Sequence, residues 1–165
     1  MRLIRQAAFV ILALVIAAPA YTQKYKKDSL PKPIGYVNDF EHIFTAKQIK
    51  QLDSTIAAFE KRTTIQIALV TVDTTMTDKR NFDHYVLRLF NKWGVGQRIK
   101  NNGIVIGISK GYRVIRIENG YGIERILTDS ETKRIIDSEF IPSFKKAMYF
   151  EGSVLGLHAI MKKLE

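Results

Sequence analysis

Residues 103–118 read G-I-V-I-G-I-S-K-G-Y-R-V-I-R-I-E, and this stretch decides how the rest of the chain must fold. Gly103–Ser109 is apolar and β-branched at most positions, which is typical of a strand that is covered on both faces. Lys110-Gly111 then predicts a turn, and Tyr112–Glu118 alternates in polarity like the antiparallel partner in a hairpin. A hairpin with such a first strand predicts a sheet that has packing layers on both sides.

A second strand and a helix precede this hairpin. Residues 65–72 (I-Q-I-A-L-V-T-V) repeat the apolar pattern, and residues 82–93 carry apolar side chains at helical spacing until Gly94. A strand–helix–strand crossover joins parallel strands with a right-handed turn. Because the hairpin then adds an antiparallel strand, the sheet is predicted to be mixed.

Further helices flank these strands. The T-A-K-Q sequence at residues 45–48 has the spacing of a capping box and predicts a helix that ends near Arg62. A second capping box at residues 128–131 (T-D-S-E) predicts another helix, Pro142 predicts a break, and residues 154–164 predict a last helix. The whole pattern predicts an α/β fold with a small mixed sheet and helices on both faces.

The N-terminus is predicted to be a secretory signal peptide. Residues 1–5 are cationic, residues 7–18 form an unbroken apolar run of twelve, and residues 18–20 (A-P-A) offer small side chains to a signal peptidase. An apolar run of this length is short for a membrane span. We therefore expect residues 1–20 to be removed, and retention of this segment as an N-terminal anchor is the alternative.

The remaining chain divides into a linker and one domain. Residues 21–34 are polar and lysine-rich, which predicts a basic flexible linker, and residues 35–165 are long enough for one domain with its own core. No later segment approaches the length of an apolar membrane span. We expect an exported protein, periplasmic or extracellular, that is soluble after signal cleavage and has no transmembrane helix in the mature chain.

Composition argues against several classes of function. The formal net charge is +10, but export and the lack of basic motifs interleaved with aromatic residues argue against nucleic acid as a partner. Cysteine is absent, which excludes cysteine nucleophiles and cysteine metal ligands. The three histidines are far apart, and no nucleophile elbow, phosphate-binding P-loop or H-E-x-x-H motif is present. A serine or histidine hydrolase is therefore poorly supported.

Acids and amides lie next to several predicted strand ends. They are Asp39, the Asn101-Asn102-Gly103 step, Glu118 and Asp129. Ligands of open α/β sheets bind where strands end, and such oxygens suit Ca²⁺ or Mg²⁺, which could polarise a phosphoryl oxygen or activate water. Each position also has a structural explanation, as a turn or as a helix start. Only convergence of these positions would make them one site.

The same stretches resemble the TPM domain, a family named for a thylakoid-lumen acid phosphatase, a photosystem II repair factor and a nematode modulator of acetylcholine receptors. The resemblance runs from about Gly35 to the C-terminus, and its motifs have a specific order and spacing. They are V-N-D (37–39), L-F-N-K-W-G-V-G (89–96), N-N-G-I (101–104), R-V-I-R-I-E (113–118), G-Y-G-I-E (120–124), L-T-D (127–129) and I-P-S-F (141–144).

The resemblance implies a three-layer α/β/α sandwich with an acidic groove that holds a divalent cation. Carried over by motif, the ligands of Ca²⁺ or Mg²⁺ would be Asp39, Asn102 and Asp129, and the catalytic carboxylates would be Glu118 and Asp129. The positions that would contact a substrate are Asn101, Gly120, Tyr121 and Gly122.

Two local departures from the family pattern bear on that groove. The hairpin usually carries Asp-Arg, where this chain has Tyr112-Arg113. The stretch after the I-P-x-F motif usually reads Gly-Asp-Tyr, where this chain has Ala147-Met148-Tyr149. If either missing aspartate belongs to the groove, metal affinity is expected to be weaker here.

Two functions stay open at this point. The first is a metal-assisted acid phosphatase that hydrolyses phosphomonoesters, with Glu118 as general base or further ligand and Asn102 orienting the substrate. The second is a non-catalytic module that binds or helps to maintain envelope membrane proteins, as the relatives that repair a photosystem or modulate a receptor suggest.

Overall fold

The computed structural model describes residues 28–165. The predicted signal peptide and residues 21–27 of the predicted linker lie outside the described residues.

Four strands form a single mixed sheet in the order β1-β2-β3-β4. They are β1 (Val37–Asp39), β2 (Gln66–Thr71), β3 (Gly103–Ser109) and β4 (Val114–Asn119). The first three strands are parallel and β4 is antiparallel to β3, which confirms the predicted crossover and hairpin. Strand β1 was not predicted, because three residues, two of them polar, are too few to show a period.

Strand direction gives the sheet two distinct edges. At the carboxyl edge, β1, β2 and β3 end at Asp39, Thr71 and Ser109. At the amino edge, the same strands begin, and β4 ends beside the start of β3, with Asn119 opposite Ile104. Since β3 has seven residues, the two edges are about 20 Å apart at the usual rise of a strand.

Six helices complete the fold within the described residues. They are α1 (Ala46–Thr63), α2 (Phe82–Trp93), α3 (Tyr121–Glu124), α4 (Asp129–Ile135), α5 (Ile141–Phe144) and α6 (Tyr149–Leu164). A single turn of 3₁₀-helix, Lys79–Asn81, leads into α2.

Two apolar cores lie on opposite faces of the sheet. On one face, α1, α4 and α6 pack on side chains such as Leu69 and Ile106. On the other face, α2 packs on Val70 and Val105. Successive side chains of a strand point to opposite faces of the sheet, so neighbouring strand residues pack in different cores. The two cores confirm the three-layer α/β/α sandwich.

Local capping signals in the sequence located the helix ends correctly, although the complete capping box predicted at both Thr45 and Thr128 forms only at Thr45. The Thr45 hydroxyl and Gln48 side chain form a reciprocal capping box at the start of α1. Gly94, in the left-handed conformation, ends α2. The Thr128 side chain accepts a hydrogen bond from the Glu131 amide at the start of α4.

The predicted break at Pro142 was wrong. The chain stays helical through a π-helical turn, Ile136–Phe140, and Pro142 lies in the first turn of α5. Proline is tolerated there because the amides of a helix's first turn have no partner within the helix. The widened turn before it absorbs the change of path.

Residues 28–31 are held on the domain by α2. The Tyr85 hydroxyl donates to the Ser29 carbonyl and the Trp93 indole donates to the Pro31 carbonyl. The Asp28 amide donates to the Met76 carbonyl beyond β2. This part of the predicted linker therefore docks along α2.

Within the described residues, none of the helices is both long enough and apolar enough to cross a membrane.

Candidate functional site

Asp39 is engaged in holding the carboxyl edge together. One carboxylate oxygen accepts from the Thr71 hydroxyl at 2.7 Å and from the Ile43 amide, and the other accepts from the Phe44 amide at 2.8 Å. These bonds tie β1 to β2 and shape the loop before α1. Asp39 thus has a structural role that the sequence did not reveal.

The amide of Asn102 has an equally structural position at the amino edge. Its oxygen accepts from the Gln97 amide at 2.8 Å, and its nitrogen donates to the Thr64 carbonyl at 2.8 Å. The residue is buried, with 6% of its surface exposed. Asn101 adopts a left-handed backbone conformation with φ of 46°, which asparagine tolerates better than most residues.

The Gly120-Tyr121-Gly122 turn packs on the Asn101 segment. The Gly122 amide donates to the Asn101 carbonyl at 3.0 Å, and a Cβ at Gly120 or Gly122 would collide with this segment's backbone. These two glycines therefore allow a close approach, and the group that approaches them is the backbone of the chain itself. Tyr121 projects outward with 80% of its surface exposed.

Glu118 is paired with a cation, Arg116, and Asp129 acts on the same guanidinium more weakly. The Arg116 guanidinium forms an ion pair with Glu118 at 2.7 Å, and this hydrogen bond is the main cause of the raised pKa of Arg116. Asp129, at the first turn of α4, and Asp83, on α2, contribute smaller electrostatic attractions to the same guanidinium. Arg116 is thus paired with Glu118, and the attraction from Asp129 is weaker and involves no direct contact.

The predicted groove residues do not form one site. Asn101, Asn102, Gly120 and Gly122 come together at the amino edge, whereas Asp39 lies at the carboxyl edge. Because the two edges are about 20 Å apart, Asp39 and Asn102 cannot bind the same ion. Across residues 28–165, no group of three or more histidine, aspartate or glutamate side chains is arranged to hold a metal ion. Catalytic or ligand roles for Glu118 and Asp129 stay predictions.

Glu41 organises the carboxyl edge and was missed by the sequence reasoning. Its carboxylate accepts from the amides of Lys110 and Gly111, at 2.7 and 3.0 Å, and from the Ser109 hydroxyl. Burial raises its pKa, an effect that these hydrogen bonds oppose. The contacts span almost 70 residues of sequence, so no local pattern could have indicated them.

Tyr112 braces the same hairpin loop. Its hydroxyl lies 2.8 Å from the Thr77 carbonyl oxygen and 3.0 Å from that of Thr74. Tyr112 stands where the family pattern usually has aspartate, and here its side chain supports the loop and supplies no carboxylate.

A cleft of about 460 Å³ opens at the carboxyl edge between the β3–β4 hairpin and the α5–α6 region. We call it the edge cleft. It is lined by Ser109, Arg113, Val114, Ile141, Phe144, Lys145, Ala147 and Tyr149. Both departures from the family pattern fall beside it, and none of its lining side chains is a carboxylate.

Two residues that line the edge cleft have left-handed backbone conformations without being glycine. Arg113 has φ of 55° and Ala147 has φ of 59°. Each costs about 1–2 kcal/mol because Cβ crowds the following carbonyl. Strain of this kind tends to cluster at functional sites.

The Ala147 conformation ends α5 in a Schellman motif. The Met148 amide donates to the Ser143 carbonyl and the Ala147 amide donates to the Phe144 carbonyl. This motif normally has glycine where Ala147 stands. The family pattern, with glycine at this position, is the signal that could have located the strained turn.

Three solved structures are similar to this chain. The N-terminal domain of a protein from P. gingivalis is 29% identical, with a TM-score of 0.71 over 78% of this chain and 81% of that one. The BA42 protein of Bizionia argentinensis is 19% identical, with a TM-score of 0.65 over 76% and 83% of the two chains. The N-terminal domain of the cg2496 protein of Corynebacterium glutamicum is 10% identical, with a TM-score of 0.60 over 86% and 87%. The last two similarities concern the fold alone.

The comparisons also address the family. No curated protein matches the chain. A family model described as the TPM domain matches residues 37–163. Because that match spans well over half of the sequence and includes the four strands and the six helices except for the last residue of α6, this chain belongs to the TPM domain family.

Proposed function

We propose that this TPM-domain protein acts by binding a partner in the edge cleft, as a non-catalytic module of the cell envelope. The observation that supports binding most directly is the cleft itself, which joins two exposed cations to an apolar wall and includes no carboxylate that could act as a base. Its volume lies in the usual range for ligand sites, roughly 300–1,000 Å³.

The envelope setting follows from the predicted export of the protein. That prediction rests on the signal-like residues 1–20. In this proposal the protein is periplasmic or extracellular, and its partners are envelope membrane proteins that it helps to maintain. Nucleic acid is not a partner in this proposal.

A metal-assisted phosphomonoesterase is the second candidate. It is favoured by the pairing of Glu118 with Arg116, because a guanidinium is a phosphate-binding group and a carboxylate can act as a general base. In this version Ca²⁺ or Mg²⁺ would be held by Asp129 with help from other groups. The engaged oxygens of Asp39 and Asn102 weigh against the full ligand set predicted from the family.

Two measurements separate these candidates. A photo-crosslinking amino acid at position 145, in the exported chain, is expected to capture a discrete envelope protein. The same substitution at Lys92, on α2 at the other face of the sheet, is the matched control and is expected to capture none. Equal labelling from both positions would contradict the binding proposal.

The second measurement is turnover of a chromogenic phosphate ester at acidic to neutral pH with Ca²⁺, Mg²⁺ or Mn²⁺. We expect no turnover above that of the Asp129→Asn variant. Metal-dependent turnover that this variant abolishes would establish the phosphatase instead.

A further inference from the structure

We infer that the ligand of the edge cleft is an anionic group attached to an apolar or aromatic body. This inference rests on the proposed binding function and specifies the chemistry of the ligand. It follows from three independent features of the cleft: its charge, its apolar wall and its strained backbone.

The two charged side chains that line the cleft are both cations. Arg113 and Lys145 both line it, and neither forms an ion pair with any carboxylate of residues 28–165. Lys110 and Lys146 are their neighbours in the loop and in the turn after α5. Two cations facing one concavity favour a bound anion, since each otherwise repels the other.

The wall of the cleft is apolar and partly aromatic. The Phe144 and Tyr149 rings lie 4.9 Å apart between centroids and are tilted by 39°. Ile141 of α5 and Val114 of β4 add further apolar surface to the lining. Burying such a surface against an apolar part of a ligand lowers the free energy of binding. Inorganic phosphate has no apolar part and cannot provide this contribution.

The strained backbone positions flank the cleft from opposite sides. Arg113 closes the hairpin loop, with its amide 3.3 Å from the Lys110 carbonyl oxygen, and Ala147 closes the turn after α5. Glycine would fit either conformation more easily. At Arg113, however, glycine would remove the guanidinium from the cleft, so the strained residue provides a charge that the relaxed residue cannot.

The purified exported chain tests this inference by ¹H–¹⁵N NMR titration with four probes. Phenyl phosphate and 3-phenylpropionate each carry an anion on an aromatic body. 3-Phenylpropanol is the neutral counterpart, and inorganic phosphate is the anion alone. The amides of Gly111, Arg113 and Ala147 report binding at the cleft.

Two variants and one control complete the design. Arg113→Asn removes the charge and is expected to keep the fold, because asparagine tolerates the left-handed conformation. Lys145→Gln removes the second charge from an exposed helix end. Lys92→Gln changes the net charge equally at a distant surface.

We expect saturable shifts at the cleft amides with both aromatic anions, and at least tenfold weaker binding in Arg113→Asn and Lys145→Gln than in Lys92→Gln. The tighter of the two anions then identifies a phosphate or a carboxylate as the natural group. Equal binding of 3-phenylpropanol would overturn the anionic requirement, and equal binding of inorganic phosphate would overturn the apolar one. If no aromatic anion shifts these amides, the inference fails, whereas specific crosslinks from position 145 would still support the proposed function.

Discussion

Replacing Ala147 by glycine should stabilise the protein, although glycine substitutions usually destabilise. The left-handed conformation at Ala147 costs about 1–2 kcal/mol because of its Cβ. Glycine removes this cost but loses about 0.5–1 kcal/mol through the greater freedom of the unfolded chain. The expected net gain in the free energy of unfolding is therefore between zero and about 1.5 kcal/mol, with about 0.75 kcal/mol from the middle of both ranges.

Urea unfolding followed by circular dichroism measures this gain, and thermal unfolding should show a midpoint higher by about 2–4 °C. Ala58→Gly is the matched control, because Ala58 is exposed within α1 and glycine there should cost about 1 kcal/mol. The two substitutions are thus expected to have opposite signs. A loss of stability in Ala147→Gly similar to that in Ala58→Gly would refute the argument from backbone strain.

Two further outcomes follow from individual carboxylates. A hydrogen bond from Arg134 is the main reason that the pKa of Glu131 falls to about 2 from an ordinary value of 4.5. Because this pKa is depressed in the folded state, the pairing stabilises the folded protein above about pH 4.5. The stabilisation is lost as the pH falls towards 2. Glu131→Gln should therefore be less stable than wild type at neutral pH, with a difference that disappears by about pH 2, and a difference independent of pH would contradict the pairing. Glu41→Ala should cost on the order of 2 kcal/mol, because the amides of the hairpin loop lose a charged acceptor. Hydrogen exchange should show faster exchange of those amides with β2 unaffected, and unchanged protection in the loop would show that Glu41 does not hold it.

Elements with local signals could be predicted from the sequence. The capping box at Thr45 and the glycine after Trp93 placed α1 and α2 within about a residue, because caps act through neighbours in the chain. Strands β2 and β3 were evident from continuous apolar runs. In contrast, β1 forms only because β2 offers it a parallel partner, which is a tertiary effect.

The predicted groove failed to converge because strand ends were grouped without regard to direction. An antiparallel hairpin returns the chain to the edge where its first strand began. Glu118 therefore lies opposite Val105, near the start of β3, rather than beside Asp39. Asn102 and Gly120 were correctly brought near one another, although their contacts are with the backbone. The edge cleft could not be predicted, since it joins two turns that are more than 30 residues apart in sequence.

The path of residues 28–31 along α2 has a practical consequence for handling the protein. Asp28 is bonded to Met76 and Thr77 beyond the end of β2, so this residue lies at the carboxyl edge, where the edge cleft opens. Glu165, at the other end, forms an ion pair with Arg62 at the end of α1, which leads into the amino edge. A purification tag or sensor-chip linkage at the C-terminus therefore leaves the edge cleft facing free solution, whereas a label on Asp28 would lie at the same edge of the sheet as the cleft.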